Sequence, residues 1–413
     1  MTEYRKDKEM KKKLVALFMV LVLAIGCLTA CGDKDKDEKK KTKNYDDVYE
    51  MLGAMADFTK GTATMSCDLD MGQKGNAKLT VTLVNDGKGN YKVSAAIDMD
   101  TEEAKVNADV DDLLIVCDKV LYINLGGILK AATSYEPEIG EMFTDVKLAY
   151  FAVPLPDDLD TSKTSEAIGK LMTVFTKFLK KGLKDAKVGG EDNEFTIELK
   201  DAAAYRTFFA ETANFVENDV ADLCAQGMED MKSSSVDMNA YIDKLINYYY
   251  NDIVDLASAL GADKATVDQY IEEIKKKDVT EEVGDLAGSF LGEEMDADSI
   301  KEEMKKAADE MRASMEKVTD EELEAYQTKI TVKTTDSGFK LKASIEGTSK
   351  EGDSMKADVT IKISEEFDKI SAPSDLTRLS DFKDLISQFA GLIMGGMNSY
   401  TPDDYDDYDD WDD

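Results

Sequence analysis

The strongest constraint on this chain is strict two-residue alternation in several consecutive stretches. Leu79, Val81 and Leu83 alternate with Lys78, Thr80 and Thr82. Tyr91, Val93, Ala95, Ile97 and Met99 obey the same rule, as do Ala104, Val106, Ala108 and Val110. Period two places every apolar residue of such a run on one face of an extended strand. Turn residues separate the runs, notably Asn85-Asp86-Gly87-Lys88-Gly89-Asn90, and strands joined so briefly pair as antiparallel hairpins. Further strands are expected at Val120–Leu125, Lys147–Val153 and Glu194–Leu199. The pattern returns near the far end at Thr328–Thr334, Phe339–Glu346 and Met355–Ile363, each a half-buried strand with one wet face.

Helical spacing fills the remainder. Ile168, Leu171, Met172, Phe175, Phe178, Leu179 and Leu183 form one apolar stripe, and Tyr205, Phe208, Phe209, Thr212, Phe215 and Val216 another. A helical block is expected over about 201–326, with Gly227, Gly261, Gly284 and Gly292 near its breaks. Asp298 reads as an N-cap before Ile300, and Thr319-Asp320-Glu321-Glu322 as a capping box. A closing helix is expected over about 380–397, with Phe382, Leu385, Ile386, Phe389 and Ile393 inward. The strands on either side of the helical block are too few for two independent sandwiches. One sheet interrupted by a helical insertion explains both halves.

The N-terminus carries Arg5, Lys6, Lys8, Lys11, Lys12 and Lys13, followed by the uncharged run Leu14–Ile25. That run has the length of a signal-peptide core and falls short of the ~20 residues of a spanning helix. Leu28-Thr29-Ala30-Cys31-Gly32 then resembles the lipobox of bacterial lipoproteins. The resemblance implies cleavage after Ala30, diacylglyceryl modification of Cys31, and residence on the extracytoplasmic face of a cell membrane. Cys27 is the weaker candidate, because Ala24 stands where the pattern wants a larger aliphatic. An ordinary signal peptide is the competing reading. The charged stretch 31–44 has no hydrophobe beyond the anchor and reads as a solvated tether. The folded body is then expected over 45–398, and residues 399–413, ending in TPDDYDDYDDWDD, form a disordered acidic tail.

Composition removes several functions. The net charge is −35, and the basic leader makes the remaining chain more acidic still. Such a surface repels nucleic acid and anionic headgroups over about 8 Å at physiological salt. The chain contains no histidine, which excludes Ser-His-Asp and Cys-His catalysis and His-ligated metal. No phosphate-binding glycine loop, nucleophile elbow or CxxC pair is present, so no enzyme, cofactor or metal is expected. Asp98-Met-Asp100-Thr-Glu102 and Asp296-Ala-Asp298 lack the glycine that a calcium loop requires. Cys67, Cys117 and Cys224 read as buried thiols by default; their spacing does not support a disulfide.

Together the strand runs, Val120-Leu121-Tyr122-Ile123-Asn124-Leu125 and the closing Ile370-Ser371-Ala372-Pro373 resemble the LolA-like superfamily, which includes LppX and LprG type lipoproteins. The resemblance is architectural and spans roughly 45–398. It implies an α+β fold: a curved antiparallel sheet of about eleven strands, an incomplete barrel, covered by helices and able to hold lipid tails. No ligand-contacting residue can be carried over from the family by position. The small inward residues Ala95, Ala104, Ala108, Ala343 and Ala357 give either room for an acyl chain or close packing of a helix, and packing is the commoner cause. Met304, Met311 and Met315 line one helix face and read as core. Lys329, Lys333, Lys340, Lys342, Lys356 and Lys362 form a basic strand face that either docks the acidic helices or an anionic partner, or is simply solvated. The expected function is a non-enzymatic envelope lipoprotein that binds a lipid or other apolar ligand. The alternative is a closed-core lipoprotein whose acidic helices or tail bind an envelope protein.

Overall fold

The computed structural model describes residues 45–56, 60–72, 75–101, 105–135, 148–157, 174–175, 177–191, 193–232, 237–276, 297–348 and 354–383. The expected leader, Cys31, the tether, the tail, residues 168–172, Ala104, Glu102, Asp296, Gly284, Gly292 and most of the closing helix lie outside them.

In chain order the elements are α1 (Val48–Ala56), β1 (Gly61–Asp70), β2 (Gly75–Asn85), β3 (Tyr91–Thr101), β4 (Lys105–Cys117), β5 (Val120–Asn124), α2 (Leu125–Tyr135), β6 (Tyr150–Pro154), β7 (Lys187–Glu191) and β8 (Glu194–Leu199). There follow α3 (Ala202–Asn214), a π-helical segment (Phe215–Val220), α4 (Ala221–Lys232), α5 (Met238–Ala259), α6 (Lys264–Lys276), α7 (Ala297–Glu316) and α8 (Asp320–Glu324). The last elements are β9 (Tyr326–Thr335), β10 (Gly338–Thr348), β11 (Ser354–Ser364) and a 3₁₀ turn (Leu379–Phe382).

The strands form one open antiparallel sheet of 11 strands, ordered β6-β5-β4-β3-β2-β1-β11-β10-β9-β8-β7. Two hairpin ladders, one from each end of the chain, meet where β1 pairs with β11, Thr62 opposite Ser364. The fold is therefore α+β, with the helices from α3 to α8 inserted between β8 and β9. Local chemistry sets the turns. Asp118 and Lys119 both take positive φ, 52° and 61°, between Cys117 and its partner Val120, the backbone a two-residue hairpin demands. Asn85 and Asp86 side chains accept from Gly87 N at 2.8 Å and Lys88 N at 2.7 Å, shaping the next loop. A bulge shifts β3 against β4 between Val93 and Ala95, where Ser94 Oγ accepts from Asp112 N at 2.9 Å. Bulges bend the strand that carries them.

Helix starts follow their caps. Asp201 Oδ1 accepts from Ala204 N at 2.8 Å, Asp237 caps α5, and Thr319 with Glu322 makes the expected capping box of α8. Three expectations shift. Leu125 opens α2 instead of ending β5, because Asn124 turns its Oδ1 to Gly127 N at 2.8 Å. Gly227 lies within α4, whereas Gly261, at φ 93°, does terminate α5. Asp298 sits inside the first turn of α7, where its charge still meets the positive end of the helix dipole.

The main core joins α1 (Val48, Met51, Leu52, Met55), α3 (Ala202, Ala204, Tyr205), Leu183 and Leu323 to Phe195, Ile197, Val332, Ala63 and Ile363 of the sheet. Phe178, Phe215 and Val220 form a second cluster with Met304, and Ile246, Val267 and Ile271 hold α6 on α5. On the opposite face Ile370 packs with Val84, Ile115, Cys117, Tyr122 and Ala152. Met304 and Met315 both pack against core clusters, as their spacing suggested.

Candidate apolar site on the sheet

The ladder register resolves one face of the sheet into rows of apolar side chains. One row reads Ala343, Val359, Cys67, Leu79, Ile97, Ala108 from β10 through β11, β1, β2 and β3 to β4. Beside it runs Leu341, Ile361, Met65, Val81, Ala95, Val110. Strands succeed one another at about 4.8 Å, so six of them span roughly 24 Å. That is the scale of an extended long acyl chain.

The two ends of this face are sealed. At the β8–β9 end Val332 and Ile197 lie buried beneath α1, α3 and α8. At the β4 end α2 rests directly on Val110: a Cβ placed on Gly127 would lie 2.5 Å from Val110 Cγ1. Between them Cys67, Leu79, Ala108, Ala343 and Val359 of the first row are only half-buried, and Ile97 is 37% exposed. In the second row Val81 and Ala95 are half-buried, whereas Met65 is 1% exposed. Three of the small residues singled out from sequence, Ala95, Ala108 and Ala343, therefore lower the floor of one apolar stretch. Ala357 is buried in the next row, and Ala104 lies outside the described residues. Burial and the neighbouring Asp68 raise the Cys67 thiol above its ordinary pKa, so it stays protonated and behaves as an apolar group.

Over β9, β10 and β11 the opposite face is polar. Lys340 stands directly across from both Lys333 and Lys362, while Lys342 and Lys356 reach Asp358 and Glu346 at 3.5 and 2.7 Å. The helices of the main core pack on the other face, so among the described residues the acidic block does not dock on these lysines. Asp98 and Asp100 sit within β3 rather than in a loop, and Asp100 pairs with Lys105 at 3.0 Å. Among the described residues no group of three acidic or cysteine side chains converges as a metal site. Cys67, Cys117 and Cys224 are free thiols, Cys117 buried and the other two half-buried.

The two sheet edges differ. The β6 edge is capped: Tyr249 donates to Ala152 O, Tyr241 to Pro154 O at 3.0 Å, and Thr377 N to Tyr150 O at 2.7 Å. Tyr249 also stacks on Phe151, and its partial burial pushes its hydroxyl up to about 12. At the other end every residue of β7 is exposed. No helix among the described residues is long and apolar enough to cross a membrane. No protein-family model, curated protein or solved structure matches the chain.

Proposed function

We propose that this chain is a lipid-anchored, non-enzymatic lipoprotein of the extracytoplasmic membrane face that holds a lipid or other apolar ligand along the half-open row of its sheet. The observation that carries the ligand reading is the half-open stretch from Ala343 to Ala108, sealed at both ends and floored by small side chains. Contiguous apolar surface left part-open is the mark of a ligand groove or an interaction site. Burial contributes about 0.8 kcal/mol per methylene, so ten methylenes laid there supply roughly 8 kcal/mol, a micromolar affinity before ordering costs.

Anchoring rests on the Leu28–Cys31 lipobox and predicts that labelled fatty acid enters the protein through Cys31. Cys31→Ser abolishes that label and Cys27→Ser retains it. The ligand reading is tested by solvent extraction and mass spectrometry of the mildly purified chain, with Ala95→Trp and Ala343→Trp to fill the trough. Co-purified lipid is expected in the wild type and lost in both variants. Added acyl ligand should also slow modification of Cys67 by a thiol reagent. Absence of lipid together with unchanged Cys67 reactivity refutes the reading. The rival, a protein-binding lipoprotein, draws support from the α5–α6 hairpin, where Tyr248, Leu260, Tyr270 and Ile274 are 43–63% exposed. Pull-down with and without residues 401–413 separates a role for the tail from one for the helices.

A further inference from the structure

Among the described residues no strand pairs with the outer edge of β7, and the sequence of that edge complements itself. Its five residues, Lys187-Val188-Gly189-Gly190-Glu191, are all exposed, with Val188 at 44%. On the inner side they pair with β8, Glu191 opposite Glu194 across a two-residue turn and Lys187 opposite Glu198. In such a hairpin the residues flanking the turn exchange both hydrogen bonds, and the pattern then alternates. Lys187, Gly189 and Glu191 thus bond inward, leaving the N–H and C=O groups of Val188 and Gly190 aimed outward. Gly190 holds φ 117° with the β8 backbone close beneath it, and a Cβ there would lie 2.2 Å from Glu194 O. At Gly189 a Cβ meets nothing within 4 Å.

We propose that β7 is a self-pairing edge, on which two copies of the chain join antiparallel about Gly189 and continue the sheet across a two-fold axis. In that register Val188 of each copy faces Gly190 of the other, so the outward groups satisfy one another in four hydrogen bonds. The exposed Val188 side chain covers a position that has none. Lys187 falls opposite Glu191 of the other copy, twice over, as close non-hydrogen-bonded pairs of opposite charge. A shift of one residue in either direction misaligns the outward hydrogen-bonding groups and takes Lys187 away from Glu191. Charge in an edge strand ordinarily blocks pairing; here its placement permits one partner, a second copy, in one register. Five residues a side bury far less than the ~1,000 Å² of a lasting interface, so the pairing is transient. The body's first described residue, Tyr45, donates its N–H to Asn193 Oδ1 at the β7–β8 turn, which puts the chain's entry point at the same corner as the free edge.

The test uses the full chain carrying Gly189→Cys under mild oxidation, with Lys187→Cys and wild type as controls. At the two-fold, paired Cα atoms lie about 4.5 Å apart, within disulfide reach. Two copies of residue 187 lie roughly 13 Å apart, which is out of reach. Gly189→Cys should give covalent dimer at least several-fold faster than either control. Adding K187E or E191K to it should remove that advantage, and mixing the two doubly substituted chains should restore it as a heterodimer identified by mass. Cross-linking of Gly189→Cys no faster than of Lys187→Cys overturns the proposal. Failure of the mixed charge variants to recover overturns it as well.

Discussion

Tyr205 on α3 and Thr328 on β9 make one of the few polar contacts inside the main core, and they offer a sharp test of how the helical insertion is locked to the sheet. The Tyr205 hydroxyl donates to Thr328 Oγ1 at 3.0 Å, with the two residues 6% and 8% exposed. Thr328 shares the apolar face with Ile330 and Val332, and the backbone of Thr328 also lies within hydrogen-bonding reach of the Tyr205 hydroxyl. Tyr205→Phe leaves the threonine hydroxyl in an apolar site, and Thr328→Val leaves the tyrosine hydroxyl with only the backbone of residue 328 beside it. Each should cost about 1–3 kcal/mol. In Tyr205→Phe/Thr328→Val the ring still fills its place and valine matches the shape of threonine, so the double variant should lie near wild type. Urea unfolding of the four proteins measures the coupling, expected at about 1–3 kcal/mol. Single losses below about 0.5 kcal/mol that simply add would refute a dry contact between α3 and the sheet.

Lys340, flanked by Lys333 and Lys362, should be a site where substitution stabilises. Lys340→Thr is expected to gain roughly 0.4–2 kcal/mol by removing two like-charge cross-strand pairs, with the gain shrinking in high salt; a loss would show that the row is relieved by other means. Arg206 donates to Asp320 Oδ1 at 2.6 Å and to Val318 O at 2.9 Å, tying the turn between α7 and α8 to α3. Arg206→Lys keeps the charge but not the fork, and should lower stability by about 1 kcal/mol, while Asp320→Ala, at an exposed carboxylate, should cost less. The Tyr249 hydroxyl, pushed up from 10.0 to about 12, binds its proton more tightly in the folded chain. Its contribution to stability is present in full below pH 10 and is lost as pH rises toward 12, so unfolding should become easier across that window and Tyr249→Phe should flatten the decline.

Strand alternation was legible wherever one face is wet, which is why β8 through β11 lie close to their expected bounds. β7 was not legible, since two of its five residues are glycines and carry no side chain to alternate. α2 was hidden for a related reason: Leu125-Gly126-Gly127 discourages a helix in isolation, yet the structure uses Gly127 to bring that helix against Val110. α1 went unread although Val48, Met51, Leu52 and Met55 keep helical spacing. In the stripe from Tyr205 to Val216, Tyr205, Phe215 and Val216 are buried as expected, and Phe209 is the departure. That ring is 36% exposed, edge-on to Phe208, while Phe215 turns inward to stack on Phe178 at 4.9 Å. For the candidate site, the sequence showed which residues share a face. Which row lies open depends on where distant helices land, and local periodicity does not encode that.

The meeting of β1 with β11 governs the order in which this molecule can assemble. Every other pair joins strands consecutive in sequence; helices intervene between β5 and β6 and between β8 and β9, and the remaining pairs can zip from their own turns. The β1–β11 seam must close a loop of about 300 residues, for which the length-dependent entropy alone is roughly 5 kcal/mol. The interval between β8 and β9 must likewise be spanned by its helices. A nascent chain therefore holds two half-sheets with raw inner edges until Ser354–Ser364 arrives. The final docking of those halves should be the slow, rate-limiting phase of folding, and the stage most vulnerable to wrong pairing.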